Sequence, residues 1–207
     1  MVANHIHDAL AQVRTLQAFI IERNLFKGYS GTARLVAGSA AIAGAIALSL
    51  APVPATPWAH LAGWGVVLAV GLAANYAALA AWFLFDREVR RNAHMLKPAL
   101  DAIPALAVGA AVSVALVRTG QFDLLFGAWM ALYGLAQVAY RYSMPPGIYV
   151  IGLFYLFCGM WCLVCPGVHF LQPWPMGLVF GAGEFAGGLV LIGEHRRSVA
   201  ANAREEA

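Results

Sequence analysis

Gly177–Gly188 reads GLVFGAGEFAGG, the centre of an apolar run that extends over about residues 174–193. A helix needs roughly 20 predominantly apolar residues to cross the hydrocarbon core of a bilayer, so this run is expected to span a membrane. Within it Gly177, Gly181, Glu184 and Gly188 recur at spacings of four, three and four, which puts them on one helical face. Small residues on a common face let a neighbouring helix approach closely. Glu184, an acid in the middle of a lipid-compatible segment, is therefore expected to face another helix or a cavity, away from lipid.

Working outward, the whole chain has this character. Its 207 residues are 61% apolar and 11% charged, with a mean hydropathy of +0.71. Soluble domains carry about 25% charged residues, and here the charges fall outside a few long apolar runs. Six runs are expected as spans, near 32–50, 58–85, 98–117, 121–140, 147–165 and 174–193, separated by prolines such as Pro52, Pro98, Pro145 and Pro166. The second is long enough to tilt or protrude, and Pro104 is expected to bend the third. The fold class is an all-α membrane protein, a bundle of six transmembrane helices over 32–193. An amphipathic cytoplasmic helix within residues 1–31 precedes it, and a cytoplasmic tail, 194–207, follows. Ile6, Leu10, Val13, Leu16 and Ile20 form the apolar stripe of that first helix, which is read as lying on the inner leaflet or docking a partner. No cleavable leader is expected, because Asp8, Arg14, Glu22, Arg23 and Lys27 interrupt the first thirty residues.

Basic residues set the expected topology. Of the 13 Lys and Arg, all but Arg118 fall before or entering the first span, in alternate loops, or in the tail. The positive-inside rule then places both termini in the cytoplasm. Trp58, Trp64, Trp161 and Trp174 gather at the opposite interface, where indole rings prefer to sit. The Ala, Gly and Arg-rich composition points to the inner membrane of a bacterium. Ala37, Ala41, Ala45 and Ser49 repeat every four residues in the first span and offer a second close-packing face.

An acid at mid-span costs roughly 2.5–3.5 kcal/mol on insertion scales, so Glu184 needs a partner. Desolvation favours the neutral acid, and the candidate partners are Asn75 in the second span with Tyr133, Gln137 and Tyr140 on one face of the fourth. Two readings follow: an interhelical hydrogen bond that fixes packing, or a proton or cation site in a transport path. Asp101 is expected to complement the helix dipole in the first turn of the third span, or to act as a gate. Arg34 and Arg141 are expected to snorkel from inner ends, with Asp101 as a possible ion-pair partner.

All three cysteines lie between Cys158 and Cys165. Cys162 and Cys165 form a CxxC pair, read either as small packing residues or as a dithiol able to cycle with a disulfide. With His169 the pair gives too few ligands for a structural zinc. No phosphate-binding loop, nucleophile elbow or metalloprotease helix occurs, so no cofactor and no nucleic-acid partner is expected.

Lys27–Gly38, KGYSGTARLVAG, and the glycine-rich stretch around Phe180-Gly181 are similar to segments of small, uncharacterised six-span bacterial membrane proteins. The resemblance implies six spans and supplies no activity. The leading expectation is a non-enzymatic inner-membrane protein, an accessory or regulatory subunit or homo-oligomer working through helix faces. The alternatives are a small proton- or cation-coupled transporter or channel using Glu184 and, more distantly, a membrane thiol oxidoreductase using Cys162 and Cys165.

Overall fold

The computed structural model describes residues 30–50, 52, 54–85, 103–139, 141, 144–165 and 167–205. The expected amphipathic helix, Asp101 and Tyr140 lie outside the described residues. Among those described there are six α-helices and no strand: α1 Gly31–Leu50, α2 Pro57–Phe85, α3 Ile103–Arg118, α4 Leu125–Ala139, α5 Pro146–Val164 and α6 Trp174–Glu205. A 3₁₀ turn, Phe122–Leu124, leads into α4. The protein is thus all-α and multi-pass.

Five segments are long and apolar enough to cross a membrane: α1, α2, α4 with its 3₁₀ turn, α5 and α6. The expectation of six full spans is met in part. α3 has 16 described residues, about 24 Å at 1.5 Å per residue, which falls short of a core about 30 Å thick. Pro104 is its second residue, where a missing N–H is harmless. At the other extreme, α6 has 32 residues and continues through the expected tail, where Glu194 and Arg197 pair one turn apart at 3.0 Å.

Local chemistry sets the boundaries. The Ser30 hydroxyl caps α1 by accepting from Ala33 N–H, and the Thr56 hydroxyl does the same for Ala59 in α2. Gly120, at φ +71°, ends α3. Its N–H bonds Val117 O, and Gln121 N–H reaches back to Leu116 O, the pairing of a Schellman end. Polar side chains within the helices mostly satisfy themselves. Ser39, Ser49, Ser113 and Asn75 each donate to the carbonyl four residues earlier, which removes free donors from the apolar phase.

The helices pack as two close antiparallel pairs, α1 with α6 and α4 with α5, while α2 flanks α1 and α3 flanks α4. Glycine makes both seams. A Cβ added at Gly188 would meet Gly31 O at 2.8 Å, and one at Gly134 would meet Gly152 O at 2.7 Å. The backbones therefore touch directly, and only glycine fits. In α1 the expected alanine stripe divides: Ala41 and Ala45 are buried in the seam with α6, whereas Ala37 lies in van der Waals range of Gly71 in α2.

Two apolar clusters fill the interior. One, at the end bearing the α1–α2, α3–α4 and α5–α6 connections (the upper end), gathers Trp64, Leu125, Phe126, Met130 and Phe170. The other joins Met144, Ile148, Ile151 and Tyr155 to Leu79, Trp82, Tyr133 and Phe180. The polar site lies beside this second cluster.

Candidate functional site

Four helices bring one charged or phenolic side chain each to a common point. Glu184 stands on α6 level with Gly38 of α1, whose added Cβ would lie 3.1 Å from Glu184 Cβ. Arg34, one turn nearer the start of α1, extends along the seam. Its Nη2 donates to Glu184 Oε1 at 2.8 Å and its Nε to Oε2 at 3.0 Å, the two-pronged geometry that makes Arg–carboxylate pairs strong. Tyr133 of α4 donates its hydroxyl to Oε1 at 2.8 Å and Tyr155 of α5 to the same oxygen at 3.1 Å. Both charges are buried, with Arg34 6% and Glu184 3% exposed.

Glycines flanking the acid make room for its partners. A Cβ at Gly187 would come within 2.6 Å of Arg34 Nε, and one at Gly183 within 2.6 Å of the Tyr155 ring. The segment Gly183-Glu-Phe-Ala-Gly187 therefore combines the charge with the two recesses that admit its donors. The phenols are held by ring packing. Tyr133 and Tyr155 meet edge to face with centroids 5.0 Å apart, and Phe180 lies 5.3 Å from the first and 5.0 Å from the second.

This arrangement corrects several expectations. Glu184 does face neighbouring helices, and Tyr133 is a partner. The expected partners Asn75, Tyr133, Gln137 and Tyr140 do not include Arg34, whose guanidinium lies within bonding distance of both oxygens of Glu184 and forms an ion pair with it. Arg34 does not snorkel, since Gly187 opens a route into the bundle. Asn75 donates instead to Gly71 O in its own helix at 2.9 Å. Gln137 is buried in the α4–α5 seam, its Cβ position packed against Gly152. Neither of its amide atoms has a partner among the described residues.

Tyr155 was not among the sequence candidates. Its only signal is register: it falls three residues after Gly152 and four before Gly159, on the buried face of a helix that is apolar all round. Further along α5 from Tyr155, Cys162 is buried, Cys158 and Cys165 are half-buried, and all three are free thiols. His169 lies 3.4 Å from Asp123, and among the described residues no three His, Cys, Asp or Glu side chains converge on a metal site.

No protein-family model, curated protein or solved structure matches this chain. The resemblance noted above therefore reaches no further than the helical, multi-pass layout.

Taken chemically, the cluster is a clasp. One carboxylate accepts four bonds from donors on three other helices, and so ties the α1–α6 seam to the α4–α5 seam. Removing one partner of a buried pair typically costs about 3–5 kcal/mol, whereas replacing both by apolar groups can be nearly neutral. Glu184→Met alone, which leaves Arg34 buried without its partner, is expected to destabilise the detergent-solubilised protein by about 3 kcal/mol. Arg34→Met with Glu184→Met is expected to recover most of that loss. A double-mutant cycle on reversible unfolding measures this, and a coupling below about 0.5 kcal/mol would mean that the two residues act independently.

Proposed function

We propose that this chain is an accessory or regulatory subunit in the inner membrane of a bacterium, acting through its helix faces. The supporting observation is that the Glu184 carboxylate is saturated from within the protein, by Arg34, Tyr133 and Tyr155. A transport site must exchange such bonds with a solute, and four internal donors oppose that exchange. The partner would be a second copy or another membrane subunit, meeting the long exposed apolar faces of α2, where Val66, Leu68 and Tyr76 point outward. Lipid covers those faces otherwise.

A second reading has one observation in its favour. Gln137 is a buried amide without a partner among the described residues, one turn along α4 from Tyr133, and an unsatisfied amide costs about 1–3 kcal/mol. A rearranged state that supplied Gln137 with a partner would give a proton or cation carrier built on Glu184, Tyr133 and Gln137. Asp101 and Tyr140 would join that path from the cytoplasmic side, while Cys162 and Cys165 would serve only a thiol chemistry.

Flux separates the two readings. In proteoliposomes under an imposed potassium diffusion potential, a lumenal pH dye is expected to report the rate of protein-free vesicles. A proton leak abolished by Glu184→Gln in a correctly assembled sample would make the carrier reading the right one.

Orientation is part of the same proposal, with both termini cytoplasmic as the basic residues imply. In a background without the three native cysteines, Cys introduced at Ala55 is expected to react with an impermeant maleimide in intact cells, and Cys at Ala203 only after lysis. The reverse pattern would invert the topology.

A further inference from the structure

A crevice at the upper end is separate from the clasp and is independent of the accessory-subunit reading. It is an open groove of about 760 Å³ between the end of α1, the start of α2 and the segment entering α6. That size lies within the roughly 300–1,000 Å³ of small-molecule sites. Leu48, His60, Leu171, Gln172, Trp174 and Leu178 line it, and among the described residues no Asp, Glu, Lys or Arg does.

The loop that forms one wall is fixed in place. Phe170 is 1% exposed and packs on Phe122, Phe126 and Trp129 with centroids 4.9–6.1 Å apart. Its backbone N–H donates to Asp123 Oδ1 at 2.7 Å. A turn bond from Gln172 N–H to His169 O, at 2.9 Å, then sets the direction of residues 171–175. That wall of the crevice is therefore preformed.

The crevice's polar side chains are Ser49, Gln172 and His60, of which His60 alone is buried. His60 is 3% exposed, and its Nδ1 lies 3.3 Å from the Thr56 carbonyl oxygen. A carbonyl can only accept, so Nδ1 is the donor in this contact, and Nε2 is left as the acceptor nitrogen of the imidazole. Nε2 has no donor among the described residues, and the ring borders the crevice. The crevice thus presents a hydrogen-bond acceptor in an uncharged, apolar setting. Trp58 and Trp174, both exposed, mark this level as the membrane interface. Leu171 and Leu178 are exposed as well, so the apolar wall continues to the lipid side.

We propose that this crevice binds an uncharged amphiphile, with a head-group hydroxyl donating to His60 Nε2 and its hydrocarbon lying along Leu48, Leu171 and Leu178. The uncharged lining disfavours a phosphate-bearing head, which would have to shed water without meeting a cation. A glyceride hydroxyl and a quinol hydroxyl share the required chemistry.

The test uses the full chain in phosphatidylcholine nanodiscs, whose head groups donate no hydrogen bond. Dioctanoylglycerol and decylubiquinol are titrated separately, each beside its O-methyl ether, with tryptophan fluorescence and the ¹⁵N resonance of His60 Nε2 as readouts. Saturable binding by one hydroxylated probe is expected, about tenfold weaker for its ether, with a displaced Nε2 resonance; which probe binds identifies the source. In folded His60→Leu the preference for the hydroxyl over the ether should disappear. Equal affinity of probe and ether in the wild-type protein would overturn the proposal without recourse to any variant, as would saturable binding of neither probe.

Discussion

A charge buried among membrane helices is tolerated only when its lost hydration is replaced inside the protein. Glu184 meets this constraint with two bonds from one guanidinium and two from phenols, and much of the architecture follows from it. The donors come from α1, α4 and α5, so these helices must converge on α6 at a single depth. Convergence at that depth requires backbones in contact, and the glycines at 31, 38, 134, 152, 159 and 188 provide the space. Charge and seams are one design: without the glycines the donors would not reach, and without the acid the two seams would lack a polar connection.

Association of helices in lipid gains little from the hydrophobic effect, since lipid tails are as apolar as leucine. Packing and hydrogen bonding must decide which faces meet. The two seams supply the packing. The clasp supplies direction, because a two-pronged Arg–carboxylate pair tolerates little rotation of α1 about its own axis. Phe180, lying against both phenol rings, fixes the remaining freedom of the tyrosines. At the upper end Asp123 and Phe170 have a similar role, holding the α5–α6 loop against the 3₁₀ turn.

Hydropathy alone made the helical, multi-pass architecture legible, and the basic residues implied an orientation. The spacing of Gly177, Gly181, Glu184 and Gly188 gave the face that Glu184 uses, and Tyr133 followed as a partner. The rest was hidden for physical reasons. Arg34 is the fourth residue of α1, a depth at which snorkelling toward water and reaching inward are both open to a long side chain. The recess at Gly187 decides between them, and recesses are tertiary facts. Gln137 shares a helical face with Tyr133, yet one turn of rise, about 5–6 Å, carries it past the acid to Gly152. Asn75 can satisfy itself on its own helix, which spacing cannot reveal. The α4–α5 seam is not legible in the spacing because its glycines lie seven residues apart, at 127 and 134 and at 152 and 159, without the four-residue repeat of small residues that marks α1 and α6.

The central claim is that Glu184 is one half of an ion pair with Arg34. Solid-state NMR of the bilayer-embedded wild-type chain, carrying [¹³C]glutamate and guanidinium-[¹⁵N]arginine, addresses it directly. The Glu184 δ-carbon is assigned as the resonance lost in Glu184→Gln. Strong dephasing of that resonance by guanidinium nitrogen is the predicted result. A Glu184 carbon that shows no dephasing would contradict the clasp and leave the convergence of the four helices to packing alone.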